Sequence, residues 1–305
     1  ITGACIMKPA EDGKLSLDTE INEYLPFKVF NPNLPNEKIT LRQLATHISG
    51  LADRYPFYSD SLYYYEGRKP EPLGVFLKSY FSREGKHYSN DNFVKAKPGT
   101  YREYSNIAAG LAGYIVELRA GKSLNEYASE NIFRPLKMNH TTWSLSEVGP
   151  TTHTKLYEKR GDKIERIPLY EVTTYPDGGV RTSASDLSKF FISLLNGGKY
   201  NGIRILSEQS VAEMLRLQFS NSDKPANVNL TELNSGIFWA TKMDVTRIGH
   251  NGSDPGVRTF MLADLSKEIG IILFSNTSLT DAEEIKFFEI YKLLYNYAAA
   301  LKDAN

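Results

Sequence analysis

Val257-Arg258-Thr259-Phe260-Met261-Leu262, a turn at Asp264-Leu265-Ser266-Lys267, and then Ile269-Gly270-Ile271-Ile272-Leu273-Phe274-Ser275 decide the fold class of this 305-residue chain. Apolar runs this short, bounded by turn residues, read as strands, and strands joined by so short a turn pair antiparallel. Two further strands are predicted just upstream, over Gly236 to Met243 and Thr246 to His250. Downstream, Thr280 with Glu283 forms a capping box that opens a terminal helix, with apolar positions at Ile285, Phe288, Leu293 and Tyr297. A strand-rich end covered by a helix is the result.

Working outward, the middle of the chain reads as mostly helical. Capping boxes at Thr40 with Gln43 and at Ser123 with Glu126 open helices over Leu41 to Thr46 and up to Pro135. Between them a helix follows Asn106, with Ile107, Leu111, Tyr114, Ile115 and Leu118 toward a core. Its small residues Ala108, Ala109, Gly110, Ala112 and Gly113 permit close approach by a neighbour. Leu156 to Tyr170 reads as a polar hairpin turning at Arg160-Gly161-Asp162, and Ser185 to Leu195 as a helix stopped by Asn196-Gly197-Gly198. At the front, Thr2 to Glu11 reads as an amphipathic helix in which Pro9 predicts a kink or an early end. Helices in the middle and strands at the end make an α/β chain of the α+β type.

Composition narrows the function. Lys+Arg and Asp+Glu both number 36, so net charge is zero and neither nucleic acid nor an anionic membrane is expected as a partner. No apolar run approaches the ~18 residues of a membrane helix. Cys5 is the single cysteine, which excludes an internal disulfide framework and any multi-cysteine metal site. His47, His87, His140, His153 and His250 lack ligand spacing, and there is no HExxH and no GxGxxG after a strand. Neither a metal nor a cofactor is expected.

Three local signals bear on chemistry. Pro98 to Asn106 turns Tyr104 and Asn106 to the mouth of the small-residue helix, although Asn106 reads equally well as a cap. Gly249-His250-Asn251-Gly252-Ser253 ends a strand with an imidazole, and its glycine admits a ligand or simply a turn. His47 sits at a helix C-terminus, where dipole and capping effects account for it. A tyrosine-rich stretch, Tyr55 to Tyr65, reads either as a cleft wall or as helical packing.

Taken together and in order, these segments resemble the serine β-lactamase and penicillin-binding-protein-like hydrolases, above all the class C-like group with its esterases and D-aminopeptidases. Glu11 to Asp18 is similar to the stretch after that family's nucleophile helix, and Leu41 to Leu51 to its structural helix and turn. Tyr104-Ser105-Asn106 matches its Tyr-x-Asn motif. Asp177 to Ser183 with Asp186-Leu187 looks like its Gly-Gly loop and following helix, and His250-Asn251-Gly252 stands where Lys-Thr-Gly would be.

The resemblance implies a β-lactamase/transpeptidase-like fold: an antiparallel sheet flanked by helices, with a helical lobe over about residues 19–175 and an α/β lobe from 1–18 and 176–305. It implies acyl transfer through a serine ester. Tyr104 would shuttle protons, Asn106 would hold substrate and lysine, and His250 would orient the substrate. Asn251, Gly252 and Ser253 would bind it, the Ser253 N–H serving as an oxyanion donor. A phenol of pKa near ~10 needs a nearby cation to act as a base, normally the lysine of Ser-x-x-Lys.

No serine in the 305 residues is followed by lysine three positions later. The resemblance places that pair just upstream of Ile1, together with strands that would shield Ile269 to Ser275 from becoming an apolar edge. The expected partner is a small-molecule or peptide substrate. Family habit implies export, to the periplasm or outside. An ester or peptide substrate is favoured over a β-lactam, because a neutral imidazole attracts a carboxylate less than lysine does. The competing reading is an inactive relative that binds a peptide or protein.

Overall fold

The computed structural model describes residues 1–149, 152–161 and 163–304. Helix α1 (Thr2–Glu11) is buried from Thr2 to Met7 and at Pro9, with Ala4, Cys5 and Ile6 fully shielded. It does not end early at Pro9. The ring removes one backbone donor, but the last turn is closed by Asp12 N–H on the Lys8 carbonyl at 3.1 Å and by Lys14 N–H on the Pro9 carbonyl at 2.8 Å. Burial of the helix outweighs the missing bond.

The helical part follows: α2 (Leu41–Ala45), α3 (Phe57–Ser61), β1 (Tyr63–Tyr65), α4 (Leu73–Phe81), α5 (Asn106–Ala120) and α6 (Leu124–Ala128). The predicted capping boxes of α2 and α6 are both formed. Helix α5 is the axis of this part. Ile107, Leu111 and Ile115 are fully buried on it, while Leu118 stays 36% exposed. Its glycines are spacers, as predicted: a Cβ on Gly113 would lie 2.4 Å from Pro176 Cβ, and one on Gly110 3.2 Å from Thr174 Cβ. Strands β2 (Leu156–Arg160) and β3 (Lys163–Ile167) form the expected hairpin, of whose turn Asp162 lies outside the described residues. Strand β4 (Tyr170–Val172) pairs antiparallel with β1.

Next come α7 (Ala184–Leu195), the short pair β5 (Lys199–Tyr200) and β6 (Ile203–Arg204), and α8 (Glu208–Leu215). The main sheet is built from β7 (Ala240–Lys242), β8 (Arg247–Asp254), β9 (Val257–Asp264) and β10 (Gly270–Ser275), in the order β10-β9-β8-β7 and antiparallel throughout. Two strand predictions change. The strand predicted from Gly236 shrinks to β7, because Gly236 N–H turns back to the Trp239 carbonyl at 2.7 Å. The strand predicted to end at His250 continues to Asp254, because Val257–Met261 of β9 offer it partners residue by residue. Gly252 permits this: a Cβ there would lie 2.7 Å from Thr259 Oγ1 on β9.

Helix α9 (Asp281–Asp303) covers one face of the sheet with Phe287 and Tyr291 against Phe260, Leu262 and Ile271. Three of its predicted apolar positions point away: Ile285, Leu293 and Tyr297 are 63%, 68% and 67% exposed. The helix is apolar on two sides, so periodicity did not choose between them. Strands β10 and β7 are the outer strands of the sheet among the described residues.

Candidate active site

One wall of the cleft is the N-terminus of α5. Ser105 caps it, its Oγ accepting from Ala108 N–H at 3.0 Å. The remaining donors of the first turn converge on Asp53, which accepts from Ser105 Oγ at 2.7 Å, Asn106 N–H at 2.8 Å, Asn106 Nδ2 at 2.9 Å and Ile107 N–H at 2.9 Å. A carboxylate suits the positive end of a helix, and four donors hold it there. Burial still outweighs them and raises its pKa above the ordinary value. Because its Nδ2 is spent on Asp53, Asn106 presents Oδ1 as an acceptor. Sequence reasoning missed Asp53, which belongs to no motif and sits over fifty positions upstream of its partners.

Tyr104 leans on His47, with ring centroids 4.3 Å apart. His47 Nδ1 accepts from Ser105 N–H at 3.3 Å, and its carbonyl accepts from Glu103 N–H at 2.9 Å. His47 does close α2 as a left-handed cap, its N–H donating to the Leu44 carbonyl at 3.2 Å and that of Ile48 to the Gln43 carbonyl at 2.9 Å, but capping is only part of its role. It stands at a φ of 59°, buried, as the post that Tyr104 and Ser105 rest against. Burial lowers its pKa, and Arg102, His250 and Lys242 press in the same direction. Tyr104 itself is 44% exposed, yet its phenol is raised, first by burial, then by Asp177 and Asp53, against a smaller pull from Arg102. It is a neutral phenol near pH 7.

The opposite wall is β8. Strand β7 runs beside Arg247–Gly249 only, so from His250 to Asp254 that side of β8 has no strand partner among the described residues. His250 Nδ1–H donates to the Asn251 carbonyl at 2.7 Å, leaving Nε2 as an acceptor. Its pKa falls to about 4, through burial and then the Lys242 charge, so the imidazole is neutral at pH 7. His250 and Gly252 share one face of the strand. Asn251 is paired with Phe260 and lies on the α9 face, and Ser253 is exposed.

The tyrosine-rich stretch ties the two walls together. Tyr58 OH donates to Asp177 at 3.1 Å and Tyr63 OH to Asp254 at 2.5 Å, joining the helical part to the Gly-Gly loop and to the end of β8. Burial raises the pKa of both carboxyls. Between the walls sits the first turn of α1. Thr2 Oγ1 donates to the Pro176 carbonyl at 2.5 Å, and a Cβ on Gly3 would lie 3.0 Å from the Ile237 carbonyl. The structure thus sets Tyr104 and Asn106 at the positive end of α5, with His47 between Tyr104 and the field of His250 on β8.

Comparison with known proteins agrees with this arrangement. The family model described as Beta-lactamase matches residues 1–291. Protein flp of Staphylococcus aureus (strain MW2) is 25% identical over 277 residues, covering 90% of this chain and 50% of that protein. Beta-lactamase-like protein 4 of Dictyostelium discoideum is 26% identical, covering 95% and 50%. The chain thus spans about half the length of these curated relatives. Among solved structures, the octameric penicillin-binding protein homologue from Pyrococcus abyssi superposes with a TM-score of 0.71 at 22% identity, covering 96% of this chain and 63% of that one. The D-amino acid amidase from Ochrobactrum anthropi SV3, complexed with L-phenylalanine, gives 0.71 at 23% identity, covering 99% and 81%. At these identities the likeness is one of fold.

Proposed function

The chain belongs to the beta-lactamase family, and from that premise we propose that it is a serine hydrolase that opens an ester, amide or β-lactam carbonyl through an acyl-enzyme. The 305 residues form one catalytic domain in this reading, with a helical lobe over about 19–175. The observation that carries the reading is the placement of Tyr104 and Asn106, locked through Asp53 and His47, across from the unpaired side of β8.

In this reading a serine and a lysine in Ser-x-x-Lys register are supplied by the segment that the resemblance to the family places ahead of α1. The lysine amine takes the serine proton as the hydroxyl attacks the carbonyl carbon. Asn106 Oδ1 accepts from the resulting ammonium. The Ser253 N–H and the N–H of the nucleophile steady the developing oxyanion. Tyr104, a neutral phenol, hands its proton to the leaving group and recovers one from the lysine. His250 orients the substrate without fixed charge, which favours esters and peptides over β-lactams.

The test is intact-protein mass spectrometry of the whole natural protein before and after a fluorophosphonate probe. One adduct on a serine that has lysine three positions later is the expected result. No adduct and no ester turnover would overturn the hydrolase reading. The second reading, a binding module, rests on the lack of Ser-x-x-Lys within these residues, and it takes first place in that event.

A further inference from the structure

The strap that runs from Tyr55 to Tyr65 has two sides. One is anchored in the helical part, where the Phe57 ring lies 6.0 Å from Tyr80 and 6.4 Å from Phe76, and the Arg54 guanidinium sits 4.6 Å over Phe57. The other side carries a row of tyrosines. Ring centroids are 5.6 Å apart for Tyr55 and Tyr58, 6.2 Å for Tyr58 and Tyr63, 5.2 Å for Tyr63 and Tyr170, and 5.3 Å for Tyr170 and Tyr65. Their planes cross at angles between 54° and 85°, the tilted and edge-to-face arrangements that aromatic quadrupoles favour.

The row crosses from one wall of the cleft to the other. Tyr55 lies two residues after Asp53, which holds the Asn106 side chain at 2.9 Å. Tyr58 and Tyr63 donate to Asp177 and Asp254, and a Cβ on Gly178, beside Asp177 in the chain, would lie 3.6 Å from the Asp254 carboxylate. Rings inside the row are committed. Tyr58, Tyr63 and Tyr170 each have a ring on either side, and their hydroxyls donate to Asp177, Asp254 and the Pro255 carbonyl. Tyr55 is not: it is 64% exposed, has Tyr58 as its one ring neighbour, and its hydroxyl makes no hydrogen bond among the described residues. Partial burial raises its phenol, and the carboxyls of Asp53, Asp177 and Asp254 raise it further, which agrees with a ring standing over the gap between the walls.

We propose that Tyr55 is a specificity-determining residue whose open ring receives an aromatic ring on the acyl side of the substrate, so that aralkyl acyl groups are favoured over saturated ones of the same size. The inference rests on the hydrolase reading. Tyr104 serves the leaving group in that reading, and the acyl group then lies toward Asn106, which Asp53 ties to the strap. An incoming aromatic ring extends the row by one more tilted pair, which a saturated ring of equal area cannot do.

Two trifluoroethyl esters test it on the whole natural protein, the phenylacetate and the cyclohexylacetate, which share a leaving group that has no ring. Acid release gives kcat/KM for each, divided by the ester's own rate of hydrolysis by hydroxide. The normalised ratio is expected to favour the phenyl ring by about threefold to tenfold. Tyr55→Leu drives that ratio toward one, mainly through KM for the phenylacetate, and Tyr55→Phe keeps it. Circular dichroism checks that each variant folds, and Tyr55→Gln serves if Tyr55→Leu does not. A wild-type ratio near one, a ratio that survives the loss of the ring, or an equal loss on both esters overturns the proposal. If the wild type cleaves neither ester, the hydrolase reading fails instead. Equilibrium dialysis of phenylacetamide against cyclohexylacetamide, with wild type and Tyr55→Leu, then decides the ring contact by the same ratio.

Discussion

The two walls of the cleft are finished to different degrees. On the α5 wall every donor of the first helical turn has been spent: Ser105, Asn106 and Ile107 all converge on Asp53, and His47 backs Tyr104. On the β8 wall, backbone from His250 to Asp254 has β9 on one side and no strand on the other among the described residues. A closed network fixes geometry, while open valences leave room for a ligand. Under the proposed hydrolase reading, the difference assigns the positioning of the chemistry to the α5 wall and the reception of substrate to the β8 wall.

Four substitutions or titrations probe that division. Tyr104→Phe removes only the reactive hydroxyl, so kcat for ester hydrolysis should fall by about 10²-fold or more with the melting temperature nearly unchanged. A variant that kept its rate would break the assignment of chemistry to this wall. Asp53→Ala strands several buried donors at once and should cost about 3 kcal/mol in urea unfolding. An effect on rate alone would mean the network is less closed than its distances imply.

Gly113→Ala should cost about 1–3 kcal/mol by the same measurement, since its Cβ meets Pro176 at 2.4 Å. Because Pro176 precedes Asp177, KM should shift as well. The smallest effect is on acid stability. His47 and His250 have folded pKa values below the unfolded value, His250 at about 4. Their contribution is full above about 6.5 and is lost as pH falls toward 4, because only the unfolded chain then takes up the protons. The raised carboxyls Asp53, Asp177 and Asp254 act in the opposite sense, so the comparison is wild type against His47→Gln/His250→Gln. The double variant should lose less stability across that interval. Parallel curves would show that the imidazoles are not held neutral by the cleft.

Legibility in the sequence followed the range of the interaction. Capping boxes span three residues, so Thr40, Ser123 and Thr280 announced their helices directly. The small residues of α5 announced a close neighbour without naming Pro176. Long-range matters were hidden. Nothing near Asp53 in the chain shows that it serves residues 105–107, and His47 reads as an ordinary helix end until Tyr104 is laid against it. Gly252 looked like the start of a turn because the residue that needs its space, Thr259, is on another strand. On α9, both apolar stripes satisfy the helical period, and only the sheet chooses Phe287 and Tyr291.

For the 305-residue chain taken by itself, the outer position of β10 governs how molecules meet in solution. Gly270–Ser275 contains no charged side chain, and Ile290, Leu293 and Tyr297 of the covering helix α9 face water. The chain carries no net charge near neutrality, and its isoelectric point is about 7.1. Electrostatic repulsion between molecules is therefore weakest in the buffers most often chosen. Colloidal behaviour is set by the sticky strand and helix rather than by charge, and the second virial coefficient should be lowest around neutral pH. A buffer a unit or two to either side, which returns net charge without touching the fold, is the physical remedy.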